Sequence, residues 1–95
     1  MKKIKLTDVD NVLKNNTKAI IAFVDENAIL SISTLRILRE ANKSNIYYLN
    51  VEEEREVISS YSLRIIPTIH VYQNGNLVNK INLPYTKEDL ECLVH

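Results

Sequence analysis

The stretch Lys18 to Val24, KAIIAFV, sets the strongest constraint on what this chain can fold into. After the lysine it is apolar without a break, and no position in it is suited to face water. A short β-branched and apolar run of this kind is a strand buried on both faces. A sheet with such a strand at its centre needs a covering layer on each side. AIIAFV is also far short of the ~20 apolar residues that a membrane-spanning helix requires.

The flanking segments supply those layers. KIKL, residues 3–6, reads as a short first strand. In TDVDNVLKN, Thr7 is expected to cap a helix with Asp10 as its capping-box partner, and Val9, Val12 and Leu13 form the inward stripe. From about Ile32 to Ala41 the pattern is helical again, with Leu35, Leu38 and Ala41 on one face. NIYYLNV is a further strand. EEEREVISSY is expected to be a helix whose acidic start, Glu52 to Glu54, lies at the positive end of the helix dipole. In TIHVYQNGNLVNKINL, Asn74-Gly75 separates two extended segments and marks a hairpin, because a type I′ turn needs positive φ at both central residues. TKEDLECLV closes the chain as a helix capped by Thr86 and Asp89, with Leu90, Leu93 and Val94 facing inward. The order β-α-β-α-β-α-β-β-α defines a single α/β domain over residues 1–95. Right-handed crossovers make the early strands parallel, and the last two pair antiparallel. A mixed sheet of about five strands with helices on both faces follows.

Several function classes are disfavoured at this point. Lysine plus arginine balances aspartate plus glutamate at 12 each, so no net charge points to nucleic acid or to a membrane surface. No apolar stretch follows the basic start MKKIK closely enough for a secretory signal, and a cytoplasmic location is expected. The chain has one cysteine, Cys92. One thiol cannot close an intramolecular disulfide or form a CxxC motif. The other soft ligands are His70, His95 and Met1, too few for a metal site, and no cofactor is implied.

One segment carries a resemblance. YSLRIIPTIHVYQNGNLV, Tyr61 to Val78, resembles the thioredoxin segment in which Tyr-x-Ile-Arg-x-Ile-Pro-Thr is followed by apolar residues and Asn-Gly. KLTDVDNVLK resembles the thioredoxin N-terminal helix and LNV its third strand, so the likeness spans essentially the whole chain. It implies the thioredoxin fold, a cis peptide before Pro67, and an active-site turn directly after the strand that ends near Phe23. Thioredoxins carry Trp-Cys-Gly-Pro-Cys at that turn; the same positions here are Asn27, Ala28, Ile29, Leu30 and Ser31. The buried aspartate of the family corresponds to Ala22 and its lysine neighbour to Tyr48.

Disulfide reduction needs an attacking thiolate and a second thiol to resolve the mixed disulfide. Ala28 offers no nucleophile, and the Ser31 hydroxyl is too weakly acidic to act without a base. His70 is the one internal base to consider, but three residues of strand separate it from Pro67 by ~10 Å. The alternative is that Ser31 helps cap the helix and His70 packs in the strand. Cys92, on the final helix, is a small core or edge residue, or else a regulatory thiol or the site of an intermolecular disulfide. The resemblance thus implies a thioredoxin-like protein without the CxxC site, a redox-inactive binding or accessory domain. Its expected partner is a protein or extended peptide, or a second copy of the chain. The candidate contact residues are Asn27, Ala28, Ile29, Leu30, Ser31, Ile66, Pro67 and Thr68. Ile29 and Leu30 either stand in solvent beside Pro67 or turn inward in a helix that starts early. The alternative function is thiol–disulfide exchange through a single thiol or through cysteines of a partner.

Overall fold

In the computed structural model, which describes residues 1–82 and 85–94, the run Lys18–Val24 is the middle strand of a five-stranded sheet. The elements in chain order are β1 (Lys2–Lys3), a 3-10 turn (Leu6–Asp8), α1 (Val9–Asn15), β2 (Lys18–Val24), α2 (Ile29–Glu40) and β3 (Ile46–Asn50). They continue with α3 (Glu56–Ser60), β4 (Thr68–Gln73), β5 (Asn76–Asn82) and α4 (Lys87–Val94). The strand order is β1-β3-β2-β4-β5, with β1 and β2 parallel to β3 and the β2–β4 and β4–β5 pairs antiparallel.

The alternation of β2 feeds two cores. Ala19, Ile21 and Phe23 point to one face, where Val9 and Val12 of α1, Val57 of α3 and Tyr72 of β4 complete a cluster. Ile20, Ala22 and Val24 point to the other, against Leu35 and Leu38 of α2, Leu90 of α4, and Ile69 and Val71 of β4. A strand with no exposed position after Lys18 is the direct result of helices on both faces.

Caps and turns differ from the sequence reading in three places. The first helical turn begins earlier than Thr7: the Lys5 amide donates to the Asp8 carboxylate at 2.9 Å, so Asp8 takes the role expected of Asp10. The helix expected from Ile32 begins at Ile29. The helix expected over residues 52–61 is one short turn, Glu56–Ser60, and Glu52 to Glu54 lie in the turn before it. The hairpin has its positive-φ pair, Asn74 at 52° and Gly75 at 82°. The final helix has its capping box, with the Thr86 amide donating to Asp89 Oδ2 and the Asp89 amide to Thr86 Oγ1. Leu90 is buried and Leu93 partly so; the Val94 side chain and His95 lie outside the described residues. Among the described residues no helix is long and apolar enough to cross a membrane.

Candidate functional site

The turn after β2 and the loop before β4 are neighbours because of strand register. Phe23, one residue from the end of β2, pairs with Thr68, the first residue of β4. The two connections therefore leave the same end of the sheet side by side. The Ile66–Pro67 peptide, in the second of them, is cis.

The first connection is held from below. Ser31 has no exposed surface, and its Oγ accepts the Asp25 amide at 3.0 Å. Ala28 is the N-cap of α2, and no side chain caps that helix. Ser31 thus ties the end of the strand rather than capping the helix as the sequence suggested, since it sits one turn in, facing the core with Thr34, Leu35 and Leu38. The Thr34 hydroxyl donates to the Leu30 carbonyl at 2.9 Å and also meets the Tyr85 hydroxyl.

Asn50 braces the connection from the side. Its Oδ1 accepts the amides of Glu26 and Glu52, and its Nδ2 donates to Glu53 Oε1. Lys3 bridges Glu26 and Glu53, and hydrogen bonding to these two carboxylates, Glu26 first, holds its ammonium above the ordinary lysine range. Hydrogen bonds from Lys3 and Asn50 hold Glu53 below the usual carboxylate range. Sequence reasoning missed Asn50 and Lys3. The available signal was a polar Asn closing the apolar strand IYYLN, where a side chain can bond amides of the adjacent turn.

The candidate contact residues divide by exposure. Ile29 is 80% exposed and Leu30 56%. The helix does start early, yet both side chains stay in solvent, because the inward face of α2 is set by Ser31, Thr34, Leu35 and Leu38. Asn27 is exposed, Ala28 and Ile66 are half-buried, and Pro67 and Thr68 are buried. Thr68 Oγ1 donates to the Ile81 carbonyl at 3.2 Å and also contacts Asn82 Oδ1. Ile65, just before this loop turns, is a further exposed apolar side chain that the sequence reading did not single out.

Ser31 and His70 do not form a couple. Ser31 belongs to the α2 side of the sheet, whereas His70 shares the opposite face with Thr68 and Tyr72. His70 is packed against Phe23, ring centroids 4.8 Å apart, and Tyr72. Burial, with help from the Lys80 charge, pushes its pKa down from 6.5 to about 4. The folded state thus binds this proton less readily than the unfolded chain. Stability held by neutral His70 is complete above pH 6.5 and is lost as the pH falls toward 4. The expected loss is on the order of 2 kcal/mol after discounting for solvent screening. Urea denaturation at pH 7 and pH 4.5 measures it; His70→Leu should flatten that part of the profile, and an unchanged slope would remove His70 as its cause.

Ala22 and Tyr48, which stand where thioredoxins have a buried aspartate and a lysine, are direct cross-strand partners in β2 and β3. Ala22 is fully buried, and Tyr48 packs on the same cluster. An apolar pair here removes the desolvation cost that buried charges carry. Cys92 is exposed on α4.

No protein-family model matches the chain, and no curated protein matches it significantly. Solved structures do. A thioredoxin mutant from Halobacterium salinarum superposes with a TM-score of 0.85 at 16% identity, over 99% of this chain and 86% of that one. The oxidised thioredoxin of Plasmodium falciparum gives 0.81 at 21% identity, over 99% and 94%. The zinc-bound form of human ERp44 gives 0.81 at 15% identity, over 99% of this chain but 29% of that one. The chain has the thioredoxin fold. It keeps the scaffold of that fold and has neither cysteine at the turn after β2.

Proposed function

We propose that this chain is a redox-inert binding domain that holds an extended segment of a partner protein against the start of α2 and the Pro67 loop. The observation that carries this reading is the exposure of Ile29 and Leu30 next to that loop, at a turn with Ala28 and Ser31 where thiols would be needed. Two neighbouring aliphatic side chains in water are unfavourable in isolation, and covering them on association is worth roughly 1.5–3 kcal/mol each. The half-buried Ile66 and the exposed Ile65 extend the apolar surface across the second connection. A second copy of the chain is the other occupant to test. The single thiol fits a reducing compartment such as the cytoplasm.

Replacing both side chains, Ile29→Lys with Leu30→Lys, is expected to abolish capture of a bound partner or self-association measured by sedimentation. The fold should be unaffected, because neither side chain belongs to the core. Unchanged binding by a folded variant would sink the proposal. The redox alternative is checked in a disulfide-reduction assay with a dithiol donor, where no turnover is expected. Turnover that disappears in Cys92→Ser would replace the binding reading with thiol exchange.

A further inference from the structure

A cavity of about 360 Å³ lies on the α1 and α3 side of the sheet, distinct from the exposed start of α2. Its floor consists of two neighbouring cross-strand pairs of the β4–β5 hairpin, Thr68 with Asn82 and His70 with Lys80. Its wall is the loop before Pro67, which contributes Ser62 and Arg64.

A β-bulge creates this floor. A regular hairpin closing Gln73 on Asn76 would place Asn79 opposite His70 and turn Lys80 to the other face of the sheet. The register shift at Val71/Tyr72 makes Val78 an extra residue, which brings Lys80 opposite His70. Partners placed this way have Cβ atoms roughly 4.5–5.5 Å apart.

The polar groups are mostly donors. Arg64 and Lys80 bring two positive charges; neither makes an ion pair among the described residues, and no carboxylate lines the cavity. Below them His70 is 2% exposed, with Nδ1 3.4 Å from the Tyr72 hydroxyl. Burial pushes the Tyr72 phenol up to about 12, so it stays protonated, and in this contact either its O–H or the His70 Nδ1–H is the donor. Nε2, the other ring nitrogen, has no hydrogen-bond partner among the described residues. The contact of Thr68 with Asn82 Oδ1 turns the other end of that amide, its NH2 donor, away from Thr68.

We infer that this cavity binds a small dianionic oxyanion of the phosphate class, with Arg64 and Lys80 supplying charge, Asn82 donating from the floor and His70 adding a donor in the tautomer protonated on Nε2. Two unpaired cations favour a dianion over a single carboxylate, and charge-assisted bonds of this kind are the strong ones. The volume leaves room for a small organic group on the phosphate, within the range of small-molecule sites. The site shares Ile65 and Thr68 with the proposed partner surface, whereas Arg64 and Lys80, which its test replaces, belong to the cavity alone.

The test is to titrate the full chain with inorganic phosphate and with glycerol phosphate at an ionic strength fixed with chloride, following amide and His70 ring NMR shifts. Saturable shifts at Ser62, Arg64, His70 and Lys80 are expected. Arg64→Gln and Lys80→Gln, both at exposed side chains, should each weaken binding by about tenfold or more. Tighter binding of glycerol phosphate supports the assignment and makes a phosphomonoester the ligand; equal binding supports it with the free ion as ligand. Shifts that chloride alone reproduces, or that survive in the double variant, would overturn it.

Discussion

Placing cysteines at both turn positions, Ala28→Cys with Ser31→Cys, is expected to yield a chain whose residue-28 thiol ionises at least a full unit below an ordinary cysteine. Position 28 is the N-cap of α2, and no side chain occupies the amides of its first turn. Those amides and the helix dipole stabilise a thiolate, and cysteines at helix starts fall from about 8.5 into the range of roughly 3.5–7.5. Position 31 is fully buried, so its thiol should ionise less readily and act as the resolving group. With the third thiol, exposed Cys92, replaced by serine, iodoacetamide alkylation against pH reads the first thiol, and loss of both introduced thiols under mild oxidation reads the pair. An ordinary pKa at position 28 would mean that the turn has lost its polarity as well as its cysteines. Turnover on a protein disulfide should nevertheless be slow, because Ala22 and Tyr48 offer no carboxylate or amine where thioredoxins have them.

That experiment bears on the binding proposal as well. With Cys92 replaced by serine, a reactive thiol at position 28 would form mixed disulfides most readily with segments held at Pro67. Trapping of a disulfide-activated peptide by Ala28→Cys with Ser31 kept, where no second thiol can expel it, and its absence after Ile29→Lys with Leu30→Lys, would join the apolar surface to an extended ligand. Trapping that ignores Ile29 and Leu30 would separate the two.

Much of this architecture could be read directly from the chain, where burial alone decided the pattern. Lys18–Val24 has the same bounds in sequence and structure because both of its faces are covered, so no competing register exists. Asn74-Gly75 and the Thr86–Asp89 box are local devices complete within four residues. The misplaced boundaries were those decided by distant partners. Glu52 to Glu54 stay out of α3 because Asn50 engages the Glu52 amide and the Glu53 carboxylate, and Lys3 reaches Glu53 from β1. α2 begins at Ile29 without a cap, so nothing local marks its start. The facing of His70 and Lys80 depends on one extra residue in β5, which alternation along NLVNKIN does not announce. The turn positions themselves were legible only through resemblance, since Ala28 and Ser31 acquire meaning from what they replace.

Phe23→Ala is expected to cost about 3–5 kcal/mol, the largest single loss proposed for this chain. Its ring has no exposed surface and lies between Tyr61 and His70, with centroids 5.3 Å and 4.8 Å away. Truncation removes an aromatic side chain from the cluster under α1 and α3, and the two rings beside the void cannot close it without leaving their strand and loop positions. A domain of this size has roughly 5–15 kcal/mol to lose, so the variant should be close to unfolding at ordinary temperature. The urea midpoint measures the cost, with the slope unchanged if the same surface is exposed on unfolding. Phe23→Leu, which keeps most of the volume, should lose far less. A second effect separates cavity formation from general weakening. Without the ring, water reaches His70, the burial that holds its pKa near 4 is relieved, and NMR titration of the folded Phe23→Leu chain should find a higher value. An unchanged His70 titration would assign that low pKa to Tyr61, Tyr72 and Lys80 alone.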